Sequence, residues 1–429
     1  MGINPHIKMK FYVETYGCTA NQGNSEEFVA YLVEKGHVIS KLEDADLVIV
    51  NTCVVTERTE RNMIKRLHQL EGNRLIIAGC LPKAIPEAIE NVSCHKVVGN
   101  LDRSLGVKIE EDMAPGGEEK KSVSENQHLS IPIKPDHLCA VVNISEGCEG
   151  NCSYCIVKKA RGTLKSRSPE KVVKAVRSHL RAGAVEIQLA SQDAAAYGMD
   201  IDCSLPYLLD RITDIPDQYK VRVGMMNPTH LKPILNDLIK SYQDPRIYNF
   251  IHLPIQSGSD VVLEKMNRKY EASDFVDMAS KLREGIADIT LFTDVIVGFP
   301  GETEADFMRT EDLIKTVRPE KVNVTRFSAR PYTEAYHLKE MPTQVKKDRS
   351  RKLTKLWHDI AAQQNSKYQG QVISTLITER GKNATMKGRS DNYREIVVNG
   401  KHALGNIMQV KITVTNSFYL KGIVENQVD

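Results

Sequence analysis

The chain has 429 residues, 41% hydrophobic and 26% charged, a composition typical of folded globular protein and a length beyond one hydrophobic core, so two to three domains are expected. No apolar run approaches the ~18 residues that cross a bilayer, and the start MGINPHIKMK lacks a signal-peptide core, which sets membrane and secreted classes aside and predicts a cytoplasmic protein. Nine cysteines in a reducing compartment point to metal binding over disulfides, and the net charge of +3 is unevenly spread: residues 343–429 hold 15 Lys plus Arg against 7 Asp plus Glu. That basic end is a candidate polyanion contact, with a plain solvated basic face as the alternative.

Over residues 9–110, short apolar runs at 10–16, 47–51, 75–78 and 96–98 read as strands, and 25–35, 56–70 and 82–90 carry helical spacing. This alternation predicts a small open parallel α/β sheet, with its active edge at the carboxyl ends of the strands. Cys18, Cys53 and Cys80 each fall just past a strand, so neighbouring parallel strands can bring them to one spot as a three-thiolate site. Buried packing by three small apolar cysteines stays open as the plainer reading, and Cys94, Cys139 and Cys203 read as packing thiols.

Residues 111–137 are polar, rich in Pro, Gly and mixed charge, and read as an inter-domain linker. From 138 to 342 the βα alternation resumes, with strands expected at 140–144, 186–190, 220–224, 250–254, 289–297 and 321–327. Six such units predict a partial (β/α)6 barrel with its site at the carboxyl face. Just after its first strand comes Cys148-Glu-Gly-Asn-Cys152-Ser-Tyr-Cys155. Three thiolates close neither a tetrahedral zinc site nor all four irons of a cubane; a [4Fe-4S] cluster with three cysteines keeps one iron open to a ligand. An incomplete zinc knuckle is the alternative. Loops carrying Ser191, Gln192 and Asp193, then Gln256, then Asp294, Val297, Gly298 and Gly301, reach the same face and suit a shared ligand site, though each alone is an ordinary polar or tight loop.

A basic helical connector at 343–369 follows, with Lys346, Lys347, Arg349 and Arg351 as candidate phosphate contacts, and then five short strands over 370–429 that predict an OB-like β-barrel.

The CxxxCxxC loop with Tyr154 ahead of Cys155 resembles the signature of radical SAM enzymes, in which the open iron binds the amino and carboxylate groups of S-adenosylmethionine. With the opening Thr15-Tyr-Gly-Cys-Thr-Ala-Asn-Gln22, the Ala160-Arg-Gly162 after the cysteines, Pro254-Ile-Gln-Ser-Gly-Ser-Asp260 and Gly298-Phe-Pro-Gly-Glu302, the chain from Met9 almost to its end resembles the methylthiotransferases of that superfamily. The resemblance implies an N-terminal α/β domain (9–110), a radical SAM barrel (138–342) and a C-terminal TRAM domain. It implies two [4Fe-4S] clusters, an auxiliary one on Cys18, Cys53 and Cys80 and a radical-generating one on Cys148, Cys152 and Cys155. S-adenosylmethionine is then expected at Tyr154, Ser191, Gln192, Gln256, Asp294, Val297 and Gly298, and RNA at Arg161, Asp193, Arg330 and the basic connector. Lys158-Lys-Ala-Arg-Gly162 and Ser191-Gln-Asp193 are most similar to the archaeal and eukaryotic branch acting on N6-threonylcarbamoyladenosine at position 37 of tRNA; Arg330-Pro-Tyr-Thr-Glu-Ala335 departs from the family, which more often carries Gly-Thr-Pro after the proline.

The implied reaction adds CH3-S to C2 of the modified adenine, an unactivated C–H on which side-chain acid/base chemistry has no handle. One S-adenosylmethionine methylates a sulfur at the auxiliary cluster and another yields the deoxyadenosyl radical, so tRNA, a sulfur donor and a low-potential electron donor are the expected partners. Methylthiolation of isopentenyladenosine or of a ribosomal-protein aspartate is the same-chemistry alternative, and a non-enzymatic iron-sulfur RNA-binding protein the alternative of another class.

Overall fold

In a computed structural model that describes residues 8–101, 105–106 and 138–425, strands β1 (Lys10–Thr15), β2 (Val38–Ile39), β3 (Leu47–Thr52), β4 (Leu75–Gly79) and β5 (Lys96–Val97) form a parallel sheet in the order β2-β1-β3-β4-β5. β3 and β4 are buried at every residue, as continuous apolar strands are when helices cover both faces. Phe28, Tyr31 and Leu32 of the helix Thr19–Glu34 pack on one face, and Met63 and Leu67 of the helix Glu57–Gln69 on the other. Chain order reverses between β1 and β3, and in such sheets the crevice at that switch point is where ligands sit.

Two helical expectations in this region need correction. The first helix starts at Thr19, six residues before the expected start, because its opening turns bury polar Asn21, Asn24 and Ser25 in place of apolar side chains and so carry no periodic signal. The helix expected over 82–90 is two pieces, Cys80–Ala84 and the 3-10 turn Pro86–Ile89; proline lacks the N–H that would continue the ladder. The linker expected at 111–137 lies outside the described residues.

The second unit contains β6 (Cys139–Asn143), the two-stranded ribbon β7 (Ser145–Glu146) and β8 (Lys165–Ser166), then β9 (Glu186–Ala190), β10 (Lys220–Val223), β11 (Phe250–His252), β12 (Thr290–Val297) and β13 (Lys321–Arg326). Parallel triplets β10-β9-β6 and β11-β12-β13 are joined by parallel bridges Val221–Ile247 and Met225–His252, which makes the expected six-stranded open barrel. Its helices are set by local signals: Ser168, Ser204 and Asn227 cap three of them, and Thr303 with Asp306 forms a capping box.

The last strands, β14 (Val372–Arg380), β15 (Thr385–Arg389), β16 (Glu395–Asn399), β17 (Ile407–Thr415) and β18 (Leu420–Val424), close into a barrel in the order β14-β15-β16-β18-β17. Tyr393, on the turn between β15 and β16, enters the amino end of the larger barrel. It stacks against Tyr248 and Phe250 at 4.8 and 4.9 Å and shares the buried carboxylate of Glu186 with the Tyr248 hydroxyl. The helix Thr343–Ser366 lies along the barrel flank, its Trp357 indole donating to the Glu320 carbonyl. Among the described residues no helix is long and apolar enough to cross a membrane.

Candidate active site with two cysteine trios

Gly147 ends β7 at φ +81, with the Thr163 carbonyl filling the space a side chain would need, so the chain turns sharply into the loop 148–155. Backbone bonds from Cys148 to the Gly162 carbonyl and from Cys155 to the Cys152 carbonyl hold that loop. The Gly147 N–H donates to Gln192 Oε1 at 2.8 Å, so Gln192 braces the loop from β9. The Gly150 N–H donates to Cys148 Sγ at 3.3 Å and Arg268 Nη1 to Cys152 Sγ at 3.2 Å. Burial first, then the fields of Asp193 and Cys152, push the Cys148 thiol up to about 11; burial and Cys152 push Cys155 up to about 12. The Cys148 and Cys155 thiols, in a desolvated loop, resist deprotonation until a bound cation compensates them, and metal binding deprotonates a coordinating thiol outright.

Cys18 precedes the helix Thr19–Glu34, Cys53 follows β3 and Cys80 starts the short helix after β4, so the switch-point crevice collects all three. A side chain at Gly17 would lie 3.0 Å from Cys53 Sγ, a measure of how closely the first two loops pack. Cys80 Sγ sits 3.8 Å from Asn21 Oδ1. Burial raises Cys53 and Cys80, and the field of Cys18 adds to the rise of both.

Arg161, a few residues past Cys155, crosses to this second trio. Its guanidinium donates to Asn24 at 2.7 Å and to Asn21, with Glu146 at 3.5 Å, and its charge acts on Cys80 and Cys18. Each trio thus has a guanidinium beside it, Arg268 at the first and Arg161 at the second. Among the described residues no three His, Cys, Asp or Glu side chains close on a single metal ion; a cubane asks instead for thiolates arranged around several irons. Ser191 Oγ, next to the bracing Gln192, is buried without a hydrogen-bond partner, an orphan that a bound cofactor at this face would satisfy.

Residues 142–314 match the Radical SAM superfamily, residues 10–99 the Uncharacterized protein family UPF0004 and residues 366–424 the TRAM domain. A probable threonylcarbamoyladenosine tRNA methylthiotransferase of Archaeoglobus fulgidus is 40% identical over 423 residues, covering 96% of this chain and 98% of the relative. The threonylcarbamoyladenosine tRNA methylthiotransferase of Drosophila melanogaster is 33% identical, covering 98% and 78%. The chain belongs to this methylthiotransferase family. The radical S-adenosylmethionine methyltransferase TsrM of Kitasatospora setae superposes with a TM-score of 0.55 at 14% identity, covering 77% of this chain and 74% of that one, a likeness of fold alone.

Within this methylthiotransferase, several residues expected to meet cofactor or RNA have other tasks. Asp193 is buried and accepts from the Ala195 and Asn227 backbones and pairs with His230 Nδ1 at 2.6 Å, so it organises the support behind Cys148 and does not face RNA. Asn227 Oδ1 in turn accepts from Arg268 at 3.0 Å. Arg161 is held by the N-terminal domain, and Arg330 is buried in an ion pair with Glu60 of that domain. The departing segment 330–335 is thus a strap: Tyr332 also reaches Glu87 at 2.7 Å, beneath Lys159. Lys346 is buried on Glu340 and the Phe327 carbonyl, and its methylenes fill the space beside Gly298, which corrects the reading of that glycine as room for a ligand. Arg349 is buried between Glu302 and Glu304. Lys347 and Arg351 stay exposed, with Arg351 only 3.5 Å from Asp348.

Val297 is core, and Tyr154 packs edge-on to Phe299 at 6.5 Å. Gln256 holds a left-handed backbone at φ +71 while its N–H donates to the Asp294 carbonyl, an imposed conformation at the barrel mouth. Burial alone would raise the Asp294 carboxyl, but bonds from His252 and Asn323, both 2.7 Å, hold it below its ordinary value. Sequence reasoning missed Arg268, Asn227 and His230; they lie 34 to 116 residues from the groups they support, and no spacing in the chain marks them.

Proposed function

We propose that this protein is a radical SAM transferase that adds a methylthio group to C2 of N6-threonylcarbamoyladenosine at position 37 of tRNA, in the cytoplasm. In this reading Cys148, Cys152 and Cys155 hold one [4Fe-4S] cluster with an open iron for S-adenosylmethionine, and Cys18, Cys53 and Cys80 hold a second. The observation that carries the reading is Arg161, which leaves the loop of one trio and sets its charge beside Cys80 and Cys18 of the other. When bound, the clusters and S-adenosylmethionine supply the radical, sulfur and methyl chemistry that an unactivated C–H requires. The residues of the chain provide the rest: Gly147 and Gln192 fix the first loop, Arg268 and the Gly150 N–H favour its thiolates, and Arg161 favours the Cys80 thiolate. A low-potential electron donor and a sulfur donor are required as partners.

Mass spectrometry of tRNA nucleosides from cells with and without the gene tests the reading. The 2-methylthio form of threonylcarbamoyladenosine should vanish in the deletion, with its unmethylthiolated precursor accumulating. Loss of methylthio-isopentenyladenosine instead, or an unchanged nucleoside profile, would overturn it.

A further inference from the structure

A cavity of about 320 Å3 opens between the helix Thr19–Glu34, the end of β6 and the segment 161–171. We infer that this cavity seats the threonylcarbamoyl arm of the substrate nucleoside, with Lys165 binding the carboxylate of the arm; the inference rests on the function proposed above. The arm is threonine linked through its nitrogen and a carbonyl to N6, so it ends in a free carboxylate and a hydroxyl. An isopentenyl arm is apolar and asks for a different wall.

The wall has the matching chemistry. Arg161 and Arg167 both line the cavity, but Arg161 is held by the N-terminal domain and Arg167 by Glu27 at 2.7 Å. Glu146, opposite Lys165 in the β7–β8 ribbon, leans toward Arg161 at 3.5 Å. Lys171, the fourth cation of the lining, is engaged as well, whereas Lys165 is exposed and has no ion pair among the described residues, which leaves it as the uncommitted cation. Ser145 is 3% exposed and its Oγ, on the same wall, has no hydrogen-bond partner; Asn143 Oδ1 beside it is likewise unpaired. Leaving a buried polar atom unpaired costs about 1–3 kcal/mol, and an arm carrying N–H and O–H groups supplies what both atoms lack.

The position fits as well. Arg161 is at once a wall of the cavity and, bonded to Asn21 and Asn24 of the helix after Cys18, the cation beside Cys18 and Cys80 of the second trio. N6 and C2 lie on one edge of the purine with N1 between them, so an arm held in this cavity keeps C2 on the side of the trios. A phosphate of the anticodon loop is the other anion that Lys165 could meet, and the two are separable.

Binding of three anticodon stem-loop RNAs to the reconstituted full-length protein, followed by fluorescence anisotropy, decides it: one with threonylcarbamoyladenosine at position 37, one with the arm carboxylate converted to a carboxamide, and one with plain adenosine. The wild type should bind the first roughly tenfold or more tightly than the other two, the worth of one hydrogen bond to a charged group. Lys165→Gln should erase that preference and Lys165→Arg should keep it, with thermal unfolding showing both folded. A preference that survives Lys165→Gln, or a wild type without one, overturns the inference. Equal weakening of all three RNAs places Lys165 on a phosphate and also overturns it. A wild type that prefers the modified RNA yet forms no methylthio product would fail the proposed function and leave the carboxylate contact standing.

Discussion

Arg161 and Arg268 illustrate how little of a side chain's role is set by its type. Arg161, buried, sits between domains with its charge beside Cys80, while Arg268, half-buried, donates to Cys152 Sγ. Hydrogen bonds to cluster sulfurs tune reduction potential, so the pair gives each trio its own electrostatic setting. A third buried cationic type behaves oppositely. His179, on the helix Pro169–Arg181, is 2% exposed with Nδ1 unpartnered, and burial pushes it down to about 4. It is neutral in the fold and takes a proton in the unfolded chain below its ordinary value near 6.5. Between pH 6.5 and 4 the unfolded state therefore binds more protons, and stability falls with pH by about 3 kcal/mol across that window, with no contribution above it. Urea unfolding of His179→Phe against pH should show a shallower fall there; an unchanged slope would mean that the imidazole is not titrating in this way.

At the scale of elements, the basic helix Thr343–Ser366 divides by face. Arg349 and Lys346 point inward to Glu302, Glu304 and Glu340, while Lys347 and Arg351 point to solvent. Arg349→Ala leaves the carboxylate of Glu302, 1% exposed at its side chain, without its partner, and should cost about 3–5 kcal/mol in urea unfolding. Lys347→Glu with Arg351→Glu should change stability by no more than about 0.5 kcal/mol, yet weaken tRNA binding and lower its salt dependence by roughly one unit per lost phosphate contact. Unchanged tRNA affinity in that double variant would make the exposed face a plain solvated surface. The charge excess of the chain end was legible from composition; which half of it is available to RNA was not, because the partners of Lys346 and Arg349 come from other turns and helices.

At the scale of the molecule, the closed C-terminal barrel docks on the amino ends of the larger barrel's strands through Tyr393, whereas both cysteine trios lie at carboxyl ends. An RNA that meets both must run along the flank, where the exposed face of the basic helix lies. The N-terminal sheet is fastened to the larger barrel by Arg330 with Glu60, Tyr332 with Glu87 and the Arg161 contacts. Their division of labour is testable. Changing Cys18, Cys53 and Cys80 to Ala should lower iron from about eight to about four per chain while keeping reductive cleavage of S-adenosylmethionine to deoxyadenosine and abolishing methylthio product; changing Cys148, Cys152 and Cys155 should lose the cleavage as well. A first variant that still makes product would remove the second trio from the chemistry.

The amino-acid sequence determined the two trios, the three units and the six-stranded barrel, since these rest on local patterns: apolar period, turn residues, and cysteines just past strands. It also carried the family, through motifs read within a few residues of one another. Only the tertiary structure decided which polar residues face a ligand. Asp193, Arg330, Lys346 and Arg349 carry the charge expected of binding groups, but a buried charge must find a partner: Asp193, Arg330 and Arg349 found theirs in elements distant in the chain, and Lys346 in Glu340 just ahead of its own helix. Lys165 and Ser145, plain in the sequence, are the groups left uncommitted on a cavity wall, because packing filled their neighbours' needs and not theirs.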